Sequence, residues 1–404
     1  MRSEHQDGAH RGRRSPARRS ARRPPCGVPA RRRSFVRRRG LRYAVLFRPA
    51  GRRGPSAPRG GDGRHAADRR LGPEWREGAV RPVLRAIAPE SRPAVRIANL
   101  VHRQDARRTL ALVDAAGGLF AIPDAANAVG AGLPPDLADP VGYRWLAPEG
   151  LARLAEIGER IGDAGLAPAD PAEWRFGPPV PRPGKIIAAG RNYMDHVREG
   201  QEIWAKRGRK VEIPQFPTAF AKFPSSLTGP YDPLCIPEGI DDLDYEIELA
   251  VVIGTPALNV TAERALDHVA GYAICNDAGV RGIQRREMEA QIGIVLAKNF
   301  PGFAPMGPWL TTADSVGDPQ ALQLTLEVDG DVRQDANTAD MMFPVAELIA
   351  WWSRTGLEAG DILITGTPSG VALARDEPEK YYLRSGQTVV ARIEKLGELR
   401  NPVV

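Results

Sequence analysis

The sequence predicts an α+β chain that is mainly β. It divides into a rolled, barrel-like β-domain over 176–404, a small N-terminal α+β domain over 95–175, and a disordered Arg-rich extension over 1–94. Three observations lead there. Residues 1–94 contain 26 Arg, no Lys and only seven acidic residues. From Lys185 onward, short apolar segments closed by Gly, Asn or Pro recur to the C-terminus. Clear helical periodicity is confined to two stretches.

The extension carries a net charge of +19 against +7 for the whole chain, which leaves −12 for 95–404. An acidic body is a poor nucleic-acid binder, so nucleic acid is an unlikely partner. The tail "RGRRSPARRSARRPPCGVPARRRSFVRRRG" has too little apolar surface to offset chain entropy, hence the expected disorder. It could serve as a nucleic-acid or membrane-surface arm, or as an Arg-rich targeting peptide. Arginine without lysine is also what GC-rich codons give. The preferred reading is therefore translated upstream sequence from a mis-set start, with the patterned chain beginning near Val95. Cys26, Cys235 and Cys275 form no CxxC pair and suggest neither a disulfide-rich scaffold nor a structural zinc site. No apolar run approaches the length that spans a bilayer. A cytoplasmic enzyme without membrane contact is expected.

In the N-terminal domain, "VRIANLVH" and "TLALVDAAGGLFAIPDA" read as two or three short strands around a turn at Gly117-Gly118. "PEGLARLAEIGERIGDAG" sets Leu151, Leu154, Ile157 and Ile161 at helical spacing and stops at Gly165. The Pro-rich segment 168–184 is a linker. Beyond it, "KIIAAG", "YEIELAVVIG", "VAGYAICND", "LQLTLEVDG", "DILITGTP" and "TVVARIEKLG" are strands. The one convincing helix there is "ADMMFPVAELIAWWSRTG". Its Met341, Val345, Leu348, Ile349 and Trp352 form one stripe, and Gly356 is positioned to cap its C-terminus.

The chemistry starts from "DDLDYEIELAVVIG", 241–254. With a strand's period of two, Asp244, Glu246 and Glu248 share one face, which continues as Ala250 and Val252. Like charges roughly 7 Å apart repel by about 2 kcal/mol at an effective dielectric of 20. Taken alone, the stretch is best read as a solvated face; in a cavity the repulsion must be cancelled. Asp277, at the end of "YAICND", is either a turn cap or a third oxygen ligand beside Glu246 and Glu248. Three carboxylates without Cys or His favour Mg²⁺ or Mn²⁺. His196 stands three residues before Glu199, so one helical turn would let the carboxylate hold the imidazole and raise the basicity of its other nitrogen. The plain alternative is a surface His–Glu pair. Lys298, one of seven lysines, sits in an apolar Pro/Gly context. Thr367, in "TGTPSG", is either a turn residue or a donor to a substrate oxygen. That motif lacks the ending of a phosphate-binding loop, and no GxSxG elbow of a serine hydrolase is present.

"GRNYMDHVRE", "FAKFPSSLTGPYDPL", "LDYEIELAVVIG", "GYAICNDAGVRGIQ", "PMGPWLTTAD", "GDILITGTPSGVA" and "IEKLG" follow one another as in the fumarylacetoacetate hydrolase family. Over about 183–404 the chain resembles that family's catalytic domain, of the acylpyruvate hydrolase and 2-hydroxyhepta-2,4-diene-1,7-dioate isomerase kind. The resemblance implies a mixed β-roll, a homodimer and one Mg²⁺ or Mn²⁺ per site. It places the metal on Glu246, Glu248 and Asp277, and catalysis on His196, Glu199 and Lys298. Arg281, Thr367 and Tyr193 fall at the substrate. The implied reaction is hydrolytic cleavage of a C–C bond in a β-diketo acid, with charge on the leaving enolate stabilised by the metal. Isomerisation or decarboxylation of a 2-oxo or 2-hydroxymuconate-type diacid on the same site is the alternative. A nucleic-acid-associated protein using its Arg-rich arm is the remote one. Where the family often reads "NDxSARDxQ", this chain has Gly279 and Gly282. The basic segment 200–217 is either a surface loop or a lid over an anionic substrate.

Overall fold

The computed structural model describes residues 94–404 apart from 206, 207, 209, 211 and 292, so the expected extension falls outside it. The organising element is the strand Ile247–Ile253, buried along its whole length. It runs inside an 11-stranded mixed sheet, between antiparallel partners Val269–Asn276 and Ile362–Ile364. A strand covered on both faces needs apolar residues on both, and the run after Glu248 supplies them. Leu249, Val251 and Ile253 enter the larger core, while Ala250 and Val252 enter a second one. Beyond Ile362–Ile364 the sheet continues through Ile186–Gly190, parallel to it, and then Thr218–Lys222.

The short strands expected near the N-terminus form as Arg96–His102, Arg108–Val113 and Leu119–Ala121. They extend the same large sheet, because Arg96 and Ile97 pair with Thr311 and Leu310 of the strand Ala304–Thr312. The linker contributes as well: its Trp174–Gly177 pairs with Asn99–His102. The helix Pro148–Ile161 packs Leu154, Ile157 and Ile161 with Trp145 into the second core. Packing is thus continuous across residue 175, and the described chain is one compact unit. The Pro-rich segment joins the two regions without separating their cores.

A second sheet of four antiparallel strands is ordered Asp331–Asn337, Gln323–Val328, Thr388–Ile393, Gly397–Pro402. Its Leu324, Leu326, Val389 and Ala391 meet Val345 and Ile349 of the helix Val345–Trp352 in the larger core. That helix is shorter than the stripe suggested, and Met341 precedes it, bridged to Tyr193. The result is a mixed, sheet-dominated α+β fold. Two cleft-lining helices exceed expectation. Met194–Ala205 extends the single turn foreseen around His196. Arg281–Glu289 carries only Ile283 and Met288 as apolar residues, so no stripe announces it. No described helix is long and apolar enough to cross a membrane.

Candidate metal centre and catalytic cleft

The uninterrupted acidic strand does not form; it breaks between its carboxylates. Leu243–Asp244 pairs with Gly279–Val280, and the long strand resumes at Ile247. At the break the Glu246 N–H donates to Asn276 Oδ1 (2.9 Å), and the Asp277 N–H donates to the Glu246 carbonyl (2.8 Å). These bonds tie the two acid-bearing segments together. The face is dry: Asp244, Glu246, Glu248 and Asp277 are 0, 6, 2 and 0 % exposed. Asp244 is drawn away from the others. It accepts from Arg281 Nε (2.7 Å) and from the N–H groups of Ala372 (2.9 Å) and Leu373 (3.0 Å). Glu246, Glu248 and Asp277 remain, offering oxygens within 4.8 Å of one another.

Three buried cations face these four carboxylates. Lys298 Nζ lies 2.7 Å from Glu246 Oε2 and 2.9 Å from Asp277 Oδ2, Arg281 reaches Glu246 Oε1 at 2.6 Å, and Lys222 reaches Asp277 Oδ1 at 2.6 Å. Burial would raise the Glu246 carboxyl, but Lys298 and Arg281, with His196 beyond them, hold it at about 2. Glu248 is treated differently. Burial first, then Asp277 and Glu246, push it well above the carboxylate range, opposed by Lys298 and one hydrogen bond from the Gly366 N–H (2.8 Å). Both Asp277 oxygens sit at ion-pair distance from lysines, yet neither accepts an aligned hydrogen bond among the described residues. Buried oxygens without aligned donors, beside a carboxylate the protein's own cations leave uncompensated, fit a hard divalent ion of the Mg²⁺ or Mn²⁺ type.

A pH dependence follows. In the metal-free protein, folded Glu248 keeps a proton above pH 4.5 that the unfolded chain releases. Its contribution to stability is therefore complete below that value and is lost as pH rises through the elevated folded value. Glu246 acts in a separate window, losing its contribution only as pH falls toward about 2. With chelator, thermal stability should fall as pH rises above 4.5, and saturating Mg²⁺ should offset the fall. Melting curves across pH, with and without metal, measure this; identical slopes would contradict it.

His196 and Glu199 lie on the helix Met194–Ala205, with Nδ1 to Oε2 at 3.4 Å. The other Glu199 oxygen accepts from the Gly370 N–H (2.9 Å). Gly370 has φ +103°, and a Cβ there would stand 2.1 Å from the Arg333 carbonyl oxygen, so only glycine fits this anchor. The dyad shares a cleft of about 540 Å³ with Glu246, Glu248 and Lys298; Asp277 lies behind its wall.

Three expected substrate contacts differ. Arg281 lines the cleft, but its guanidinium is committed to Asp244, Glu246 and Gln284. Thr367 also lines it, yet its hydroxyl donates to the Ile247 carbonyl (3.0 Å) and accepts from Gln334 (2.8 Å), so the proton meant for substrate is already used. Tyr193 is not in the wall. It is 2 % exposed in the larger core, because the turn before it sends Arg191 to the cleft and Tyr193 inward. Lys222, Asn276 and Gln334 are structural members of the site that the sequence did not single out. The scarcity of lysine that drew attention to Lys298 applies equally to Lys222. At the glycine departures, the Asp242 carboxylate accepts the Gly282 N–H. Gly200 and Ile203 of the basic segment 200–217 line the cleft as part of the helix, while the rest of that segment, expected as either a surface loop or a lid, falls partly outside the described residues.

Residues 185–404 match the family model described as fumarylacetoacetate (FAA) hydrolase, C-terminal. The human mitochondrial oxaloacetate tautomerase FAHD2A is 40% identical over 234 residues, covering 58% of this chain and 70% of that protein. Among solved structures, the 5-carboxymethyl-2-hydroxymuconate delta-isomerase of Mycobacterium smegmatis has a TM-score of 0.55 at 27% identity, over 76% of this chain and 98% of its own. Maleylpyruvate hydrolase from Sphingobium sp. SYK-6, in complex with manganese (II) ion and pyruvate, has a TM-score of 0.55 at 30% identity, over 76% and 98% of the two chains.

Proposed function

This chain belongs to the fumarylacetoacetate hydrolase family, and from that premise we propose that it is a divalent-metal-dependent hydrolase cleaving a C–C bond in an acylpyruvate-type β-diketo acid. The observation that carries the reading is the His196–Glu199 pair opening onto the same cleft as Glu246 and Glu248 of the acidic triad. Held by Glu246, Glu248 and Asp277, Mg²⁺ or Mn²⁺ would supply positive charge for the carboxylate and 2-oxo oxygens of such a substrate. With Nδ1 turned to Glu199, the other ring nitrogen of His196 takes a proton from water as the water oxygen adds to the distal carbonyl carbon. Glu199, fixed by the Gly370 N–H, stabilises the imidazolium. The bond to the central methylene carbon then breaks, the distal acyl group leaves as a carboxylic acid, and the pyruvate half takes a proton. Burial would lower Lys298, but Asp277 and Glu246 raise it, so it stays protonated and faces the negative charge the pyruvate half acquires.

The likeness to an oxaloacetate tautomerase favours a second reading, enolisation or decarboxylation of a 2-oxo diacid without water addition. A panel of acylpyruvates, oxaloacetate and hydroxymuconate-type diacids, assayed with Mg²⁺, Mn²⁺ and chelator, separates the two. Pyruvate release that chelator abolishes and metal restores is expected. Rapid oxaloacetate enolisation without hydrolysis of any acylpyruvate would select the second reading, and turnover indifferent to chelator would refute both.

A further inference from the structure

We propose that Gln334, which is not among the residues lining the cleft, is a positioning residue that aligns Glu248 of the metal triad and Glu199 of the dyad together, by tying one loop to the strand between the metal ligands. The inference rests on the site assigned above and uses the hydrolytic reading only for its kinetic test. Gln334 sits in the strand Asp331–Asn337 of the second sheet. In a regular strand it would share a face with Val332, two residues away. The two face opposite ways: Val332 is 52 % exposed and Gln334 1 %. A bulge is the cause. Leu326 pairs with Gln334 and Glu327 with Val332, which leaves Arg333 as an extra residue in its strand. The bulge turns the Gln334 amide inward, to Ile247, the residue between Glu246 and Glu248.

There both hydrogens of the amide are used. Gln334 Oε1 accepts from the Ile247 N–H (3.0 Å), and Nε2 donates to Thr367 Oγ1 (2.8 Å) and to the Pro368 carbonyl (3.0 Å). The Thr367 hydroxyl donates onward to the Ile247 carbonyl (3.0 Å), which closes a ring of hydrogen bonds around the backbone between two metal ligands. A buried amide costs free energy unless it is paired in this way, and an apolar side chain would fill the position without that demand. What the amide fixes is the loop 366–370. One end gives its Gly366 N–H to Glu248 (2.8 Å), and the other gives its Gly370 N–H to Glu199 (2.9 Å). The bulged Arg333 secures the far end: its carbonyl abuts Gly370 and accepts from Arg375 Nη2 (2.8 Å). Two adjacent residues of one bulge thus hold a loop that touches both halves of the site. Displacing that loop withdraws a donor from each of the two carboxylates at once.

The test is calorimetric Mn²⁺ binding to the full-length protein, beside acylpyruvate hydrolysis at saturating Mn²⁺. Gln334→Met should weaken Mn²⁺ binding by about 10–100-fold, the range for partners that stand behind metal ligands. At saturating Mn²⁺ its kcat should stay lowered by a similar factor with KM little changed, since refilling the metal site does not return the Gly370 N–H to Glu199. Gln334→Asn keeps an amide one methylene too short to span Ile247 and the loop. It should move both readouts the same way, and it decides the matter if the Met variant does not fold. Leu399→Ala, a fully buried position three strands away in the same sheet, should lower stability and leave Mn²⁺ affinity unchanged. Wild-type Mn²⁺ affinity in the Gln334 variants, wild-type kcat once metal is saturating, or both effects reproduced by Leu399→Ala would each overturn the proposal. Metal binding is read without turnover. Lost Mn²⁺ affinity in a protein that hydrolyses no acylpyruvate would thus defeat the hydrolase reading alone, and hydrolysis with unaltered Mn²⁺ affinity would defeat only this role of Gln334.

Discussion

Alanine at His196 should lower the proposed acylpyruvate hydrolysis by about 10²–10⁴-fold, the range expected when a positioned general base is removed. Metal affinity should survive, because Glu246, Glu248 and Asp277 are held by Lys298, Arg281, Lys222, Asn276 and Gly366, none of which depends on the imidazole. Glutamine at Glu199 should act in the same direction more weakly. It keeps the acceptor for the Gly370 N–H but removes the charge facing Nδ1. Pyruvate release measured beside calorimetric Mn²⁺ binding checks both variants. Undiminished hydrolysis in His196→Ala would show that another group activates the water. Metal-dependent enolisation persisting in that variant would mean that the enolate chemistry needs no base at this position.

Methionine at Lys298 should cost about 3–5 kcal/mol of stability in the metal-free protein, as expected when one partner is removed from a buried ionic cluster. Lys298 is 1 % exposed and pairs with both Glu246 and Asp277 while also donating to the Asp277 carbonyl (2.7 Å), so its loss takes one cation from each of two buried carboxylates. Lys222 stays on one oxygen of Asp277, and Arg281, shared with Asp244, stays on one oxygen of Glu246, so the cluster is left one positive charge short. A divalent ion bound to the triad would compensate the missing charge. Saturating Mg²⁺ should therefore recover more stability in the variant than in wild type, even as turnover collapses. Denaturant unfolding with and without Mg²⁺ measures this. An equal metal effect in the two proteins would place the ion elsewhere.

Much of the site was legible because its residues fall inside short motifs. His196 and Glu199 are three apart on what the structure makes a helix, and Glu246 and Glu248 are two apart beside a strand start, so local geometry alone sets each pair on one side. The cluster as a whole was less legible. Asp244 has the same spacing from Glu246 as Glu248 does, yet the strand break and the loop amides of Ala372 and Leu373 assign it to Arg281. Thr367 and Tyr193 sit in motifs with a catalytic look, but one hydroxyl is occupied by backbone and the other is buried in the core. The helix Arg281–Glu289 escaped notice because its cleft face is polar, which removes the apolar period by which helices are read.

By itself the sequence determined the strand-rich architecture, the candidate carboxylates, the dyad and the family, since alternation, turn residues and motif spacing act over a few neighbouring positions. Tertiary structure alone decided which carboxylates meet, which cations hold them, and that the N-terminal strands complete the catalytic sheet. Those contacts join segments as far apart as Lys222 and Asp277, or Ile97 and Leu310. The physical reason is that charge compensation in a buried space depends on distance and alignment among all the groups that reach it, and no local pattern in the chain encodes that sum.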